Sequence, residues 1–343
     1  MKIKNLKGCK KMINDLHTII TNPDFSALDR KYAGRKPYWG DLHVHTNSGG
    51  TSDGSVEIGK WPGMMRELQL DFAAVMDHRQ VRHMFLPEWD DAIFIGGSEA
   101  GTMINGLNAA SYSQIHYNML LRDKGDLQKV LETFPEFQFD GENFQYPSFT
   151  KERMCEIAAY IRSIGGAFVH AHPKQLMVSG DPLDYYYGER TGLEVILGAP
   201  ETLETTDNYK LWLELLAAGK KVYATAGSDS HEKTYNTAVN TVYLTERSGA
   251  EFVQRVHEGD FTAGAVGIKM CATDYVLLVS IGDIFPPVLN VDSYSLNIYT
   301  DRGLVCTIQE NRIALKLEKR VFYRAEIHDG NGIIAIGNPI WLA

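Results

Sequence analysis

The sequence predicts an α/β barrel followed by a small all-β, sandwich-like domain, and three observations carry that prediction. From Tyr38 onward, short apolar or β-branched runs alternate with longer amphipathic stretches, the pattern of βα units feeding a parallel sheet. Beyond Met270 the alternation stops, and β-rich runs are separated only by clusters of Gly, Asn, Asp and Pro. Between those limits, acidic and imidazole side chains gather where apolar runs end, the edge at which barrels of this kind assemble their chemistry.

In chain order, residues 1–37 read as a polar, mixed leader with one helix around Met12–Ile20, closed by Asn22 and Pro23, and no chemistry is legible there. Strands are predicted at Trp39–His45, Phe72–Met76, Ile93–Gly97, Gln114–Leu120, Ala167–Ala171, Leu193–Leu197 and Lys221–Thr225. Lys151–Ser163, Tyr209–Ala218 and Ala250–Glu258 have the apolar spacing of helix faces packed on a sheet. Phe134–Thr150 (FPEFQFDGENFQYPSFT) carries proline and aromatics without periodicity and is expected as a long loop over one barrel face, shaping substrate access. The later strands fall within VLLVSIGDI, SLNIYT, RIALKL, VFYRAEIHD and IIAIGNPIWL. The expected organisation is a leader over 1–37, a barrel over 38–271 and a β domain over 272–343.

A chain of 343 residues, 44% hydrophobic and 22% charged, can bury a sizeable core in one large and one small domain. Its net charge of −9 argues against general affinity for nucleic-acid backbone or anionic membrane, both of which reward basic surface. A small-molecule substrate is therefore expected, long nucleic acid is not, and self-association is left open. Cys9, Cys155, Cys271 and Cys306 lie far apart without CxxC spacing and read as reduced thiols. The opening MKIKNLKGCKKMINDLHTII lacks the ~7–15 apolar residues of a signal peptide. No segment reaches the ~18 apolar residues of a membrane span. The expectation is a cytoplasmic protein, with an export signal outside this sequence left open.

The strongest local signal is Asp41-Leu42-His43-Val44-His45 on the first predicted strand. Side chains at i and i+2 of a strand face the same way, so His43 and His45 can converge on one ion. Taken alone, such a pair is as readily two satisfied histidines as two ligands. Company changes the reading: Asp77-His78 closes the second strand, Glu99 follows IFIGGS, His116 sits in QIHYNML, His170 and His172 fall in VHAHP, and Asp229 and His231 fall in GSDSH. All but His116 lie at the C-terminal edge of a predicted strand. Mixed imidazole and carboxylate donors suit manganese, zinc or iron alike, and the absence of cysteine from the set argues against a purely structural zinc site. Convergent ligands define a metal site better than any single motif.

DLHVHT, then SDG at Ser52–Gly54, MDH, GSE, the isolated His116, AHP and GSDSH, in that order over Tyr38–Gly264, resemble the polymerase and histidinol phosphatase (PHP) family. The resemblance implies a distorted (β/α)7 barrel, in agreement with the seven strands read independently. It implies two or three divalent ions. One would be held by His43, His45, Glu99 and Asp229, a second by Glu99, His116 and His172 with Glu99 bridging, and a third by Asp53, His78 and His231. Some family members carry histidine where Asp53 stands. YWGDLHVHT at the start and GNPIWLA at the end resemble a two-domain subgroup, in which some members hydrolyse carbamate esters and many are called predicted phosphoesterases.

The function expected first is a phosphoesterase acting on a small phosphate monoester or diester through a metal-activated water. Glu99, Asp229 and His231 form its catalytic set, with Glu99 setting the ion spacing and His231 a candidate acid for the leaving group. Arg79 and Lys174 follow ligand motifs and are candidate holders of a substrate phosphate, with a solvated loop charge the competing reading for each. A carbamate or amide hydrolase on the same ions is the second expectation, and a non-catalytic metal-binding regulatory protein the third. Asp41 and Asp77 are expected to hydrogen-bond ligand imidazoles. His170 is a lesser ligand candidate, while His17, His83, His257 and His328 read as ordinary histidines.

Overall fold

A computed structural model describes residues 19–105, 114–137, 139, 141–142, 147–176, 180–199, 202–232, 238–286, 294–330 and 332–342. Most of the helix expected at Met12–Ile20 lies outside them, as do Cys9 and His17. Its described end is extended: Ile19 bridges Leu315, and the Ile20 amide donates to Ala314 O at 3.0 Å. A short helix, α1 (Ser26–Tyr32), then leads into the first strand.

The predicted strands are all present, as β1 (Lys36–Val44), β2 (Phe72–Val75), β3 (Phe94–Asn105), β4 (Gln114–Leu121), β6 (Ala167–His170), β7 (Thr191–Leu197) and β8 (Val222–Gly227). A three-residue strand missed in sequence, β5 (Ser148–Thr150), pairs with β3. It occupies the end of the segment expected as a loop, of which residues 138, 140 and 143–146 lie outside the described residues. Helices α2 (Trp61–Leu68), α3 (Lys124–Thr133), α4 (Lys151–Ser163), α5 (Pro173–Leu176), α6 (Leu203–Ala217) and α7 (Gly249–Glu258) alternate with the strands. Their starts follow local chemistry. The side chains of Thr150, Thr202 and Ser248 accept from the amides of Arg153, Thr205 and Glu251, satisfying donors that a helix N-terminus leaves open. Gly259, at φ +75°, supplies the left-handed residue that closes α7.

Pairing along β1-β2-β3 is parallel, as is pairing along β6-β7-β8. Between them β4 runs antiparallel to both β3 and β6, which corrects the expectation of a parallel sheet throughout. The reversal brings the first residues of β4, His116 among them, to the edge where its neighbours end. β8 then returns to β1: Val44 bridges Ser230, and the His45 amide donates to Ser230 O at 2.9 Å. The Asn240 amide ties the two strands further, donating to Ala226 O at 2.7 Å and to Gly40 O at 3.2 Å. Apolar side chains such as Phe72, Ile95, Leu120 and Val169 fill the core beneath this strip.

On its other side β1 pairs antiparallel with β9 (Asn240–Leu244), and the sheet continues through β10 (Phe261–Gly264) into later strands. Those are β11 (Val266–Ala272), β12 (Val276–Ile284), β13 (Ser295–Thr300), β14 (Gly303–Ile308), β15 (Arg312–Lys316), β16 (Phe322–His328) and β17 (Ile333–Trp341). β17, β16, β13 and β14 extend the large sheet from β10, while β11, β12 and β15 form a second sheet. Ile268, Met270, Leu277 and Val279 of the second sheet share one core with Ile298, Tyr323, Ala325 and Ile327 of the first. That is the two-layer arrangement that alternating strands require. Among the described residues no helix is long and apolar enough to cross a membrane.

Candidate metal centre

The site residues come from β1, β3 and β4 and from the segments that follow β1, β2, β6 and β8, and Glu99 stands at the middle. Glu99 is fully buried, and its two oxygens serve different groups. Oε1 lies 2.8 Å from His116 Nδ1 and 2.9 Å from His172 Nε2. Oε2 lies 3.4 Å from His43 Nε2, 3.3 Å from His45 Nε2 and 3.0 Å from His78 Nδ1. This is the disposition of a bridging carboxylate. Oε2 has no hydrogen-bond partner among the described residues, although a buried carboxylate oxygen left so is costly.

The spacing explains what would satisfy it. His43 Nε2 and His45 Nε2 are 3.1 Å apart, and Asp229 Oδ1 is 3.4 Å from the first and 3.1 Å from the second. Donors at about 2.0–2.1 Å from a tetrahedral ion are separated by about 3.3–3.4 Å. His43, His45, Glu99 and Asp229 therefore fit one divalent ion. Asp53 gathers the outer group: its carboxylate lies 3.1 Å from His231 Nε2, 3.5 Å from His78 Nε2 and 3.7 Å from His45 Nδ1. His78 stands between the groups, offering Nδ1 to Glu99 and Nε2 to Asp53. All nine residues named as ligands from sequence are thus brought together.

Exposure grades across the cluster. His43, His45 and Glu99 side chains are 0% exposed, while His231 is 37% and Asp53 52% exposed, so the site opens on the Asp53–His231 side. Three ligand-segment residues, Arg79 (φ +47°), His172 (φ +25°) and Asp229 (φ +52°), take left-handed backbone that non-glycine residues rarely adopt, as strained functional turns do.

The charges follow from burial and pairing. Burial alone would raise Glu99, but the His116, His43 and His78 rings hold it well below the usual carboxylate range. Burial likewise opposes charge on His45, yet the neighbouring Asp229 and Glu99 carboxylates carry its pKa up to about 9. Asp229 is held down at about 2 against its burial, chiefly by His43 and His45. A site that keeps carboxylates ionised and crowds imidazole nitrogens against them suits a divalent cation.

Other expectations divide. His170 is not part of the cluster: β6 ends at this residue, the chain turns at His172, and the His170 ring packs on Tyr185 and Tyr187 at 5.5 and 5.6 Å. Burial pushes its pKa down to about 3. Asp77 does not hold a ligand imidazole. It accepts from the Thr46 amide and hydroxyl at 2.6 and 2.7 Å, from Ser48 Oγ, and from His83 Nδ1 at 3.1 Å, fixing the loop after β1. Asp41 accepts from the amides of His43 and Ser228, joining β1 to the Asp229 turn. The Arg79 amide donates to Glu99 O at 3.0 Å, and the Lys174 ammonium lies 5.0 Å over the Tyr185 ring. The sequence reading missed Glu194, buried in β7, whose signal was a lone acid inside the apolar run TGLEVIL.

No protein-family model and no curated protein sequence matches this chain. Among solved structures, it is similar to an amidohydrolase from Chromobacterium violaceum with bound sulfate and no metal, at 18% identity and TM-score 0.43, over 65% of this chain and 96% of that one. It is also similar to a protein from Bifidobacterium adolescentis described as a candidate metal-dependent phosphoesterase, at 14% identity and TM-score 0.37, over 63% of this chain and 96% of that one. A third is the lesion-specific Endonuclease Q from Pyrococcus furiosus, at 13% identity and TM-score 0.46, over 65% of this chain and only 56% of that chain.

Proposed function

We propose that this chain is a metal-dependent hydrolase, and within that class a phosphoesterase acting on a small phosphate monoester or diester. The observation that carries the reading is the buried set His43, His45, Glu99 and Asp229, whose donors stand 3.1–3.4 Å apart around an unsatisfied carboxylate oxygen. The strand run that returns from β8 to β1 is read as a distorted (β/α)7 barrel of the PHP kind, carrying a sandwich-like domain over 272–343 to which β11 (Val266–Ala272) also contributes.

His43, His45, Glu99 and Asp229 would hold one ion, Glu99, His116 and His172 a second, and Asp53, His78 and His231 a third. Manganese, zinc or iron bound there would polarise a phosphoryl oxygen and make water acidic enough to attack near neutral pH. The protein's own part is placement. Glu99 spans the first two ligand groups and so sets their separation. His231 stands on the open side beside Asp53, and where the third ion is absent it is the candidate acid for the leaving group. Arg79, beside His78, and Lys174, whose ammonium lies 5.0 Å over the Tyr185 ring, are the candidate holders of the substrate phosphate. The acidic net charge supports a small substrate over long nucleic acid, and a cytoplasmic location is proposed with it.

The test is hydrolysis of a phosphate monoester, a phosphodiester and an uncharged carbamate by protein loaded with Mn²⁺ or Zn²⁺, with His43→Ala as blank. Turnover of a phosphate ester, absent in the variant, is the expected result. Turnover of the carbamate alone would move the assignment to a carbamate or amide hydrolase. Ion binding lost in His43→Ala, without turnover of any ester by the parent, would favour a regulatory metal-binding protein.

A further inference from the structure

We infer that Glu194 is the positioning residue of the ion centre: one buried carboxylate orients the His43 ring and clamps the His172 backbone, and Gly227 leaves it the room to do so. The inference rests on the metal-site reading above and adds to it a residue outside the ligand set.

Glu194 lies mid-strand in β7, between the fully buried Leu193 and Val195, and is itself 1% exposed. A carboxylate in such a place must have both oxygens engaged. Oε1 lies 3.0 Å from His43 Nδ1, and Oε2 accepts from the His172 amide at 2.9 Å. Both partners belong to metal-ligand residues, one on β1 and one just past β6. A carboxylate paid for only by fold stability would more simply meet an arginine or a strand amide.

The two contacts have separate consequences. A carboxylate oxygen at Nδ1 favours the His43 tautomer with its proton on that nitrogen, which leaves the Nε2 lone pair facing His45, Glu99 and Asp229. The second contact helps hold His172 at φ +25°, the backbone that brings its Nε2 to 2.9 Å from Glu99 Oε1. Gly227, the last residue of β8, completes the arrangement. A Cβ there would fall 1.9 Å from Glu194 Oε1 and 2.7 Å from His43 Cβ, so this glycine is required for space.

The test compares Glu194→Gln and Gly227→Ala with the parent protein. Mn²⁺ or Zn²⁺ affinity and stoichiometry are read by competition with a chromophoric chelator, and fold by circular dichroism of the metal-free proteins. Glutamine keeps an oxygen for the His172 amide but presents its NH₂ to His43, which moves the ring proton to Nε2 and removes the ligating lone pair. The expected result is a folded Glu194→Gln protein whose ion affinity falls by about ten- to a hundredfold. Gly227→Ala should fall similarly, and the double variant little further, because both changes act on one contact. Parent-like affinity in folded Glu194→Gln overturns the inference while leaving the metal-site reading intact. Loss of the circular dichroism spectrum in both variants makes the residue purely structural and overturns it too. A parent protein that binds no ion overturns the metal-site reading and the inference together.

Discussion

At the scale of single residues, the ligands differ in how deeply they are set, and loss of each should differ accordingly. His43 is buried between Glu194 and three other donors, so His43→Ala should remove the innermost ion and lower turnover by at least about a hundredfold. Asp53 is half exposed and joins only the outer group. Asp53→Ala should therefore lower the ion content by the outermost ion alone, leaving the His43–His45–Glu99–Asp229 ion in place. Elemental analysis after gel filtration measures both, and equal ion loss in the two variants would contradict the graded site. Most of these residues were legible from sequence, because i,i+2 pairs and acids at strand ends are local patterns. Glu194 was not, because its partners lie 151 and 22 residues away along the chain.

Elements are tied to the body by particular charged contacts, and α1 is the clearest case. Asp260, just past α7, accepts from Lys31 at 2.7 Å, Arg35 at 3.0 Å and Tyr32 at 3.3 Å. Burial works against its charge, but Lys31 and Arg35 hold its pKa below the usual carboxylate range. A carboxylate depressed in the fold contributes stability in full above its unfolded value of about 4, and that contribution is lost as pH falls through the lower folded value. Asp260→Asn should cost about 1–3 kcal/mol at pH 7. The gap between variant and parent should shrink below about pH 4 in denaturant melts taken across that range. At this same scale the sequence misjudged β4. Its apolar run is plain, but strand direction is a matter of pairing, and only antiparallel pairing with β3 and β6 puts His116 beside Glu99.

Across the whole molecule, the later strands are joined to the β1–β8 strip by a buried polar latch. Glu326 of β16 accepts from Tyr209 of α6 at 2.5 Å, pairs with Arg324, and meets His328 Nε2 at 2.8 Å. Arg324 in turn lies over Trp212 of α6 and Tyr299 of β13, at 5.1 and 4.2 Å. Glu326→Ala would leave the Arg324 charge buried without its carboxylate and should cost about 3–5 kcal/mol. Tyr209→Phe, which removes one donor, should cost about 1 kcal/mol. Chemical denaturation of the two variants checks the order, and a larger loss in Tyr209→Phe would contradict it. Ion binding should also report on the whole fold. An ion held only by the native state at a hundred times its Kd adds about 2.7 kcal/mol, so chelation should lower the melting temperature.

What the sequence determined by itself was which imidazole and carboxylate side chains are candidates for one site. Residue type, strand periodicity and the ends of apolar runs are local properties, and they marked His43, His45, His78, Glu99, Asp229, His231 and the His170/His172 pair, with His116 marked by residue type alone and Asp53 and the choice of His172 supplied by resemblance. The tertiary structure decided which side chains share a space. It packed His170 on Tyr185 and Tyr187 instead, and spent Asp77 on the Thr46–Ser48 loop. It also set Glu194 and Gly227 behind the ligands. Such contacts depend on strand direction, register and the closure of β8 onto β1, which no short stretch of sequence encodes, because they are settled only when distant segments pack against one another.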